Sequence, residues 1–196
     1  AVQKPIDENH RLLGQSPYSA SKIAADQLAL SYSNSFKMPI KIVRPFNTFG
    51  PRQSTRAIIP TIIAQLIEHP NYVNLGNTDT KRDYTFIDDT CNAFIDIYKS
   101  KKLEGQVTNI ATSTNYSILE TLKIINKILK VNPKIIKEKK RVRPKNSEVI
   151  ELLGCNAKLK KYTSWNYKIS FAEGLKKTIK WIKKNKNKYQ ITDYHV

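Results

Sequence analysis

The sequence predicts an α/β protein, and three observations carry that reading. Stretches with apolar residues at helical spacing alternate with short β-branched runs along the whole chain. Two Ser-x-x-Glu signatures, Ser117 to Glu120 and Ser170 to Glu173, each open such a helical stretch. Apolar residues make up 40% of the 196 positions and charged residues 26%, a globular balance with enough chain for a real core.

Residues 1–15 read as a loop. Ser16 is a good N-cap and Pro17 suits the first helical position, so a helix is expected to about Phe36, with Ala24, Ala25, Leu28 and Tyr32 available for packing. The run Pro39-Ile40-Lys41-Ile42-Val43 predicts a strand. A helix is expected from Ile59 to Glu68, with Pro60 in its first turn. Tyr72 to Leu75 and Tyr84 to Ile87 read as short strands. Asp88 or Asp89 then starts a helix through Ala93, Ile97 and Tyr98. Val107 to Ile110 is a further strand. Behind Ser117, a helix places Leu122, Ile125 and Leu129 on one face, and Lys134 to Lys137 can form a strand. Behind Ser170, a last helix does the same with Leu175, Ile179 and Ile182; the tail from Lys183 is polar and expected to fray.

Composition narrows the function. The net charge of +18 fits a nucleic-acid binder. Against that, the excess is mostly lysine, spread over runs such as Lys99 to Lys102, Lys137 to Lys140 and Lys176 to Lys188. No helix-turn-helix, zinc finger or interleaved aromatic set accompanies it. No nucleic-acid partner is expected, and part of the charge serves to attract an anionic substrate. Cys91 and Cys155 lie far apart without metal-ligand spacing, so neither a zinc site nor a disulfide framework is expected, in keeping with a reduced cytoplasmic compartment. No metal is expected, and no segment is long enough to cross a membrane. His10, His69 and His195 are scattered.

The most informative stretch is Ser16-Pro17-Tyr18-Ser19-Ala20-Ser21-Lys22. Tyr18 and Lys22 lie one helical turn apart on one face. A phenol titrates near ~10 and is a poor base at neutral pH. A cation within ~4–6 Å lowers an acid's pKa by about 1–3 units, and the positive helix end acts in the same direction. Such a tyrosine can take a proton from a hydroxyl. On their own, the two residues fit an ordinary exposed helix face better, because a two-residue pattern recurs by chance.

Three further stretches follow: Arg44-Pro45-Phe46-Asn47-Thr48-Phe49-Gly50-Pro51-Arg52-Gln53, then Arg82-Asp83-Tyr84-Thr85-Phe86-Ile87-Asp88-Asp89, then Arg141-Val142-Arg143-Pro144 with Ser147-Glu148. In this order and spacing, from Pro5 to about Trp181, the chain resembles the extended short-chain dehydrogenase/reductases, the NAD-dependent nucleotide-sugar epimerases and dehydratases. Phe49 stands where tyrosine is commoner in that family. The resemblance implies an NAD-binding Rossmann fold with a small α/β substrate domain. Residues 1–47 and 81–100 would belong to the Rossmann part, residues 48–80 and 101–190 to the nucleotide-sugar part, and 191–196 to a tail. The Gly-rich dinucleotide fingerprint is missing, with only 6 glycines in all. The expectation is a C-terminal portion of a longer protein, which by itself folds poorly and holds NAD weakly.

The resemblance also implies residue roles. Tyr18 would take the proton of the sugar 4-hydroxyl while hydride passes to NAD. Lys22 would bind the nicotinamide ribose and lower the pKa of Tyr18. Pro45 and Phe46 would line the nicotinamide pocket. Asn47 would contact the sugar or its diphosphate, Ile58 would pack on the base or in the core, and Arg82 and Arg143 would reach the diphosphate or ribose. Arg56 and Arg141 are weaker candidates. The expected reaction is 4,6-dehydration of a UDP-, GDP- or dTDP-linked sugar, and the alternative is 4-epimerisation; the Ser/Thr and Asp-Glu segment that would decide between them is expected upstream. Within the family the motifs look most like dehydratases acting on nucleotide-linked N-acetylglucosamine, which serve nonulosonic (legionaminic-type) acid synthesis. A homodimer through the Tyr-Lys helix is implied for the full-length protein.

Overall fold

Two parallel strand pairs meet at one junction, Pro45-Phe46-Asn47, and the rest of the fold is arranged about it. The computed structural model describes residues 3–138, 141 and 149–189. Strand β1 (Ile42–Pro45) pairs in parallel with β5 (Val107–Ile110), Pro45 standing opposite Ile110. One residue later β2 (Asn47–Phe49) begins, in parallel with β4 (Lys81–Phe86), and Asn47 stands opposite Tyr84. Strand β6 (Asn115–Ser117) adds to β4 antiparallel, completing a three-stranded sheet β2-β4-β6. A third parallel pair joins β3 (Tyr72–Leu75) to β7 (Lys134–Lys137).

Among the described residues, six α-helices cover these strands: α1 (Pro17–Phe36), α2 (Ile58–Glu68), α3 (Ile87–Lys99), α4 (Ile118–Leu129), α5 (Ala157–Tyr162) and α6 (Phe171–Lys184). The α/β architecture read from the sequence is therefore present. The pairing of β5 with β1 joins residues assigned by sequence to different domains, because a parallel partner for β1 needs a long crossover, and the chain supplies one through α2 and α3.

Local chemistry explains the boundaries. Ser16 caps α1 by accepting from Ser19 N at 3.2 Å, and Ser19 Oγ accepts from Ser16 N at 2.9 Å. Ser117 and Glu120 make the reciprocal box at α4, with bonds of 3.0 and 2.7 Å. These hydrogen bonds hold the Glu120 carboxyl below its usual range. At α6 only half of the expected box forms: Ser170 Oγ accepts from Glu173 N at 3.3 Å. The first strand starts later than the sequence suggests. Ile40 N is spent locally on Met38 O at 2.8 Å, and the ladder begins with Ile42 N bonding Gln106 O at 2.9 Å. Strand β4 starts earlier, at Lys81, because β6 provides a partner for Lys81 to Asp83.

The packing face of α1 is not the one the sequence suggests. Ala24, Ala25, Leu28 and Tyr32 are exposed, and Ser33 is the buried position, with Ile23, Asp26, Ala29 and Leu30 half-buried. Helix α3 likewise exposes Phe94, Ile95 and Tyr98.

Two apolar cores result. The larger gathers Phe49, Ile59, Ile62, Ile63, Leu75 and Leu175 with neighbours from α4 and β4. At its centre Phe49 meets Tyr84, Phe86 and Phe171 edge-on, with centroids 5.2–6.0 Å apart. The buried amide of Gln65 clips α2 to β3, donating to Asn74 O at 3.2 Å and accepting from Asn74 N at 2.8 Å. The smaller core holds Ala93, Ile97, Leu103, Ile110, Leu159 and Trp165 under α3 and α5. Gly174 lets α6 close on the aromatic cluster: a Cβ there would stand 2.6 Å from Phe49 Cζ and 2.8 Å from Phe86 Cδ2. Gly174→Ala is therefore expected to cost about 1–3 kcal/mol by overpacking, despite alanine's better helix propensity, as read from a denaturant midpoint.

Candidate active site

Helix α1 carries Tyr18 and Lys22 one turn apart, with the Lys22 ammonium 5.7 Å from the centroid of the Tyr18 ring. Tyr18 is 72% exposed and Lys22 is also exposed. Both line a cleft of about 750 Å³, whose apolar walls come from Leu12, Leu13, Val43, Pro45 and Leu152. The helix is fixed to the end of β1 by an ion pair, Arg44 Nε to Asp26 Oδ2 at 2.7 Å, with both side chains about three-quarters covered. Sequence reasoning did not single out this pair.

The loop 6–10 forms the other wall and is pinned to β5. Glu8 Oε1 accepts from Asn109 N at 2.8 Å, and Asn109 Nδ2 donates to Ile6 O at 3.2 Å. Ile6 also bonds across to Leu153 O and Cys155 N.

A second cavity, of about 330 Å³, is lined by Pro45, Phe46 and Asn47 with His10, Asn109 and others. It shares Arg44 and Pro45 with the Tyr18 cleft. A third, of about 310 Å³, is lined by Asn47, Ile58 and Arg82, together with Arg56, Arg141 and Tyr84. Asn47 lines both the second and the third. The three cavities thus run in sequence along the C-terminal end of β1 and the start of β2, where α/β folds bind ligands.

Among the described residues that line it, the third cavity has three arginines and no carboxylate. Guanidinium groups in that setting suit a diphosphate. Asn47 is oriented by donating from Nδ2 to Asp83 O at 3.2 Å. Arg141 is held by Glu138 on its own segment. Ile58 lines the cavity and packs against the larger core. Burial pushes the Tyr84 phenol up to about 12, which keeps it a hydrogen-bond donor. Arg143 lies outside the described residues.

Asp83 is the residue that locks this arrangement, and the sequence did not reveal it. It is fully buried. Its carboxylate accepts from Thr112 N at 2.9 Å, Thr112 Oγ1 at 2.8 Å, Ser113 N at 3.0 Å and Gly154 N at 3.2 Å. Burial pushes its pKa up, and the four donors oppose that. Asp83 so ties β4 to the turn after β5 and to the segment carrying Gly154. A Cβ at Gly154 would stand 2.4 Å from Ala111 Cβ and 2.8 Å from Phe46 Cε2, so only glycine lets that segment reach the carboxylate behind Phe46. Asp89 acts similarly nearby, accepting from Lys168 N and Ile169 N at 3.0 Å each, while Trp165 Nε1 donates to Asp89 O at 2.8 Å. Asp88 and Asp89 are in the first turn of α3, as the sequence suggested.

The family model described as GDP-mannose 4,6 dehydratase matches residues 1–178. The chain belongs to that family. Every candidate residue from Tyr18 to Arg143 falls inside the match, and the extended short-chain dehydrogenase/reductase resemblance agrees with it. Among relatives of this family, the dTDP-D-glucose 4,6-dehydratase of Bos taurus is 29% identical over 198 residues, covering 94% of this chain and 52% of its own length. A solved dTDP-glucose 4,6-dehydratase from Bacillus anthracis, in complex with NAD, superposes with a TM-score of 0.82 at 26% identity, covering 95% of this chain and 58% of that one. The UDP-glucuronic acid 4-epimerase of Bacillus cereus, in complex with UDP-glucuronic acid and NAD, gives 0.84 at 25% identity, covering 92% and 56%. The chain spans about half the length of the curated relatives it matches. Among the described residues no cluster could hold a metal ion, and no helix is long and apolar enough to cross a membrane.

Proposed function

We propose that the chain forms the nucleotide-sugar-binding half of an NAD-dependent 4,6-dehydratase. The observation that carries this is the run of three adjoining cavities, from Tyr18 and Lys22, past Pro45 and Phe46, to Asn47, Ile58 and the arginines. A diphosphate-linked sugar needs this order: a proton acceptor at the sugar, neutral contacts between, and cations at the phosphates.

The residues fit NAD at the first cleft. Pro45, Val43 and Leu12 offer an apolar wall for a nicotinamide ring, and Lys22 is an exposed donor within reach of the same space. Bound there, NAD supplies a temporary hydride acceptor that is regenerated in the cycle. The chain's own residues do the rest. Tyr18 accepts the proton of the 4-hydroxyl, and Lys22 holds ribose hydroxyls beside it. Asn47 orients the sugar end, Arg82, Arg143, Arg56 and Arg141 neutralise the diphosphate, and Ile58 covers the base. In this reading residues 1–47 and 81–100 serve the cofactor and the remaining core serves the nucleotide sugar, with β5 contributing to the cofactor side.

The protein is read as a cytoplasmic homodimer that feeds polysaccharide or related glycan synthesis. The apolar residues exposed along α1, Leu28, Tyr32 and Phe36, support pairing through that helix. The carrier is UDP, GDP or dTDP, and the sugar is glucose or N-acetylglucosamine. The full-length protein, incubated with NAD and each of dTDP-glucose, UDP-glucose and UDP-N-acetylglucosamine, is expected to convert one of them to a product lighter by one water. An unchanged mass with inverted configuration at C4 would establish the epimerase instead, the alternative to which the likeness to the Bacillus cereus enzyme gives some support.

A further inference from the structure

Asp26 stands four residues after Lys22 on α1, the spacing at which a carboxylate and an ammonium pair along a helix. Both line the cleft that holds Tyr18. Yet the Asp26 carboxylate is paired with Arg44 at 2.7 Å, while the Lys22 ammonium lies over the Tyr18 ring at 5.7 Å. Among the described residues the ion pairs of 4 Å or less do not include Lys22 with Asp26. Two cations therefore compete for one carboxylate, and the one on β1 holds it. Arg44 has the advantage in geometry, since it projects from a strand locked in register with β5, and its bond is three-quarters covered from solvent. A lysine reaching back along an exposed helix face gains much less.

We infer that Arg44 is a positioning residue that sequesters Asp26 and so leaves Lys22 to face Tyr18. This rests on the reading of Tyr18 and Lys22 as the reacting pair. Without Arg44, Asp26 draws the ammonium one turn down the helix, away from the phenol. The other basic side chains lining the cleft, His10 and Arg11, sit on the opposite loop, so neither is a replacement for Arg44 on β1.

A simple structural bridge and a sequestering one predict different patterns. If the bridge only ties α1 to β1, Arg44→Met and Asp26→Asn cause equal losses, and the double variant loses no more than either alone. Sequestration makes the two unequal. Arg44→Met in the full-length enzyme is expected to lower kcat and weaken NAD binding by roughly 3- to 100-fold, the range for coupled neighbours. Asp26→Asn is expected to cost less. Adding Asp26→Asn to Arg44→Met is expected to restore most of what Arg44→Met lost, in turnover and in the NAD dissociation constant alike. Arg44→Lys, which keeps a cation on β1, is expected to fall between. A crystal structure of Arg44→Met should show Lys22 Nζ paired with Asp26. A double variant no better than Arg44→Met, or Lys22 still over Tyr18 in that structure, overturns the inference. Should Arg44→Met fail to fold, the comparison of Arg44→Lys with Arg44→Lys/Asp26→Asn reads the same sign. Tyr18→Phe serves as the control: full turnover in that variant would remove the underlying reading, whereas its inactivity together with an unrescued double variant would remove only the role of Arg44.

Discussion

Replacing Tyr18 by phenylalanine is expected to lower kcat of the full-length protein by about 10²- to 10⁴-fold, the contribution of a positioned acid–base group. The nucleotide-sugar KM should change little, because the substitution removes one oxygen at the reacting end and leaves the arginine-lined cavity untouched. Folding should not suffer, since the Tyr18 side chain is mostly in solvent, with the Lys22 ammonium over its ring. Steady-state kinetics beside a thermal melt check this. A large KM rise with kcat intact would place Tyr18 in binding and not in proton transfer.

Asp83→Asn is expected to give the largest loss of stability of any single polar replacement in the site. The wild-type carboxylate accepts four hydrogen bonds in a fully buried position. An amide can accept on one side only. Its NH₂ would face two backbone donors, those of Ser113 and Gly154 if the Thr112 bonds are kept. The Gly154 N–H is buried and costs about 1–3 kcal/mol when left unpaired, while the part-buried Ser113 N–H costs less. The consequence extends to function, because the Gly154 segment packs on Phe46 and the Asp83 carbonyl orients Asn47. Denaturant unfolding would read the stability, and nucleotide-sugar affinity the knock-on effect. A variant within about 0.5 kcal/mol of wild type, the usual span for surface substitutions, would contradict this account of Asp83.

What the sequence disclosed, and what it hid, follows from the range of the interactions involved. The start of α1, the box at Ser117, and strands β3, β5 and β7 are set by neighbours a few residues away, and all were legible. Strand β2 and strand β6 are three residues each and exist because β4 lies between them, so no local period announces them. Helix α5 buries only Leu159, which leaves almost no apolar stripe to read. The exposed face of α1 was misjudged for the same reason: Leu28 and Tyr32 look like core residues, and at 62% and 48% exposure they are not. Within the candidate site, Tyr18, Lys22, Asn47 and Arg82 were expected from contiguous motifs, and the structure places them on three adjoining cavities. Asp83 sat inside those motifs without an assigned role, and Arg44 without its partner. Their partners, Thr112, Gly154 and Asp26, are 18 to 71 residues away, and only the folded chain brings them together.

The most direct test of the central claim follows one hydrogen. The full-length enzyme would be given its nucleotide sugar with deuterium at C4, and the product examined by mass and by deuterium NMR. The account predicts loss of one water and recovery of the deuterium in the new C6 methyl group, with both absent in Tyr18→Phe. Deuterium found again at C4, in a product of unchanged mass, would contradict the dehydratase assignment and make the protein an epimerase.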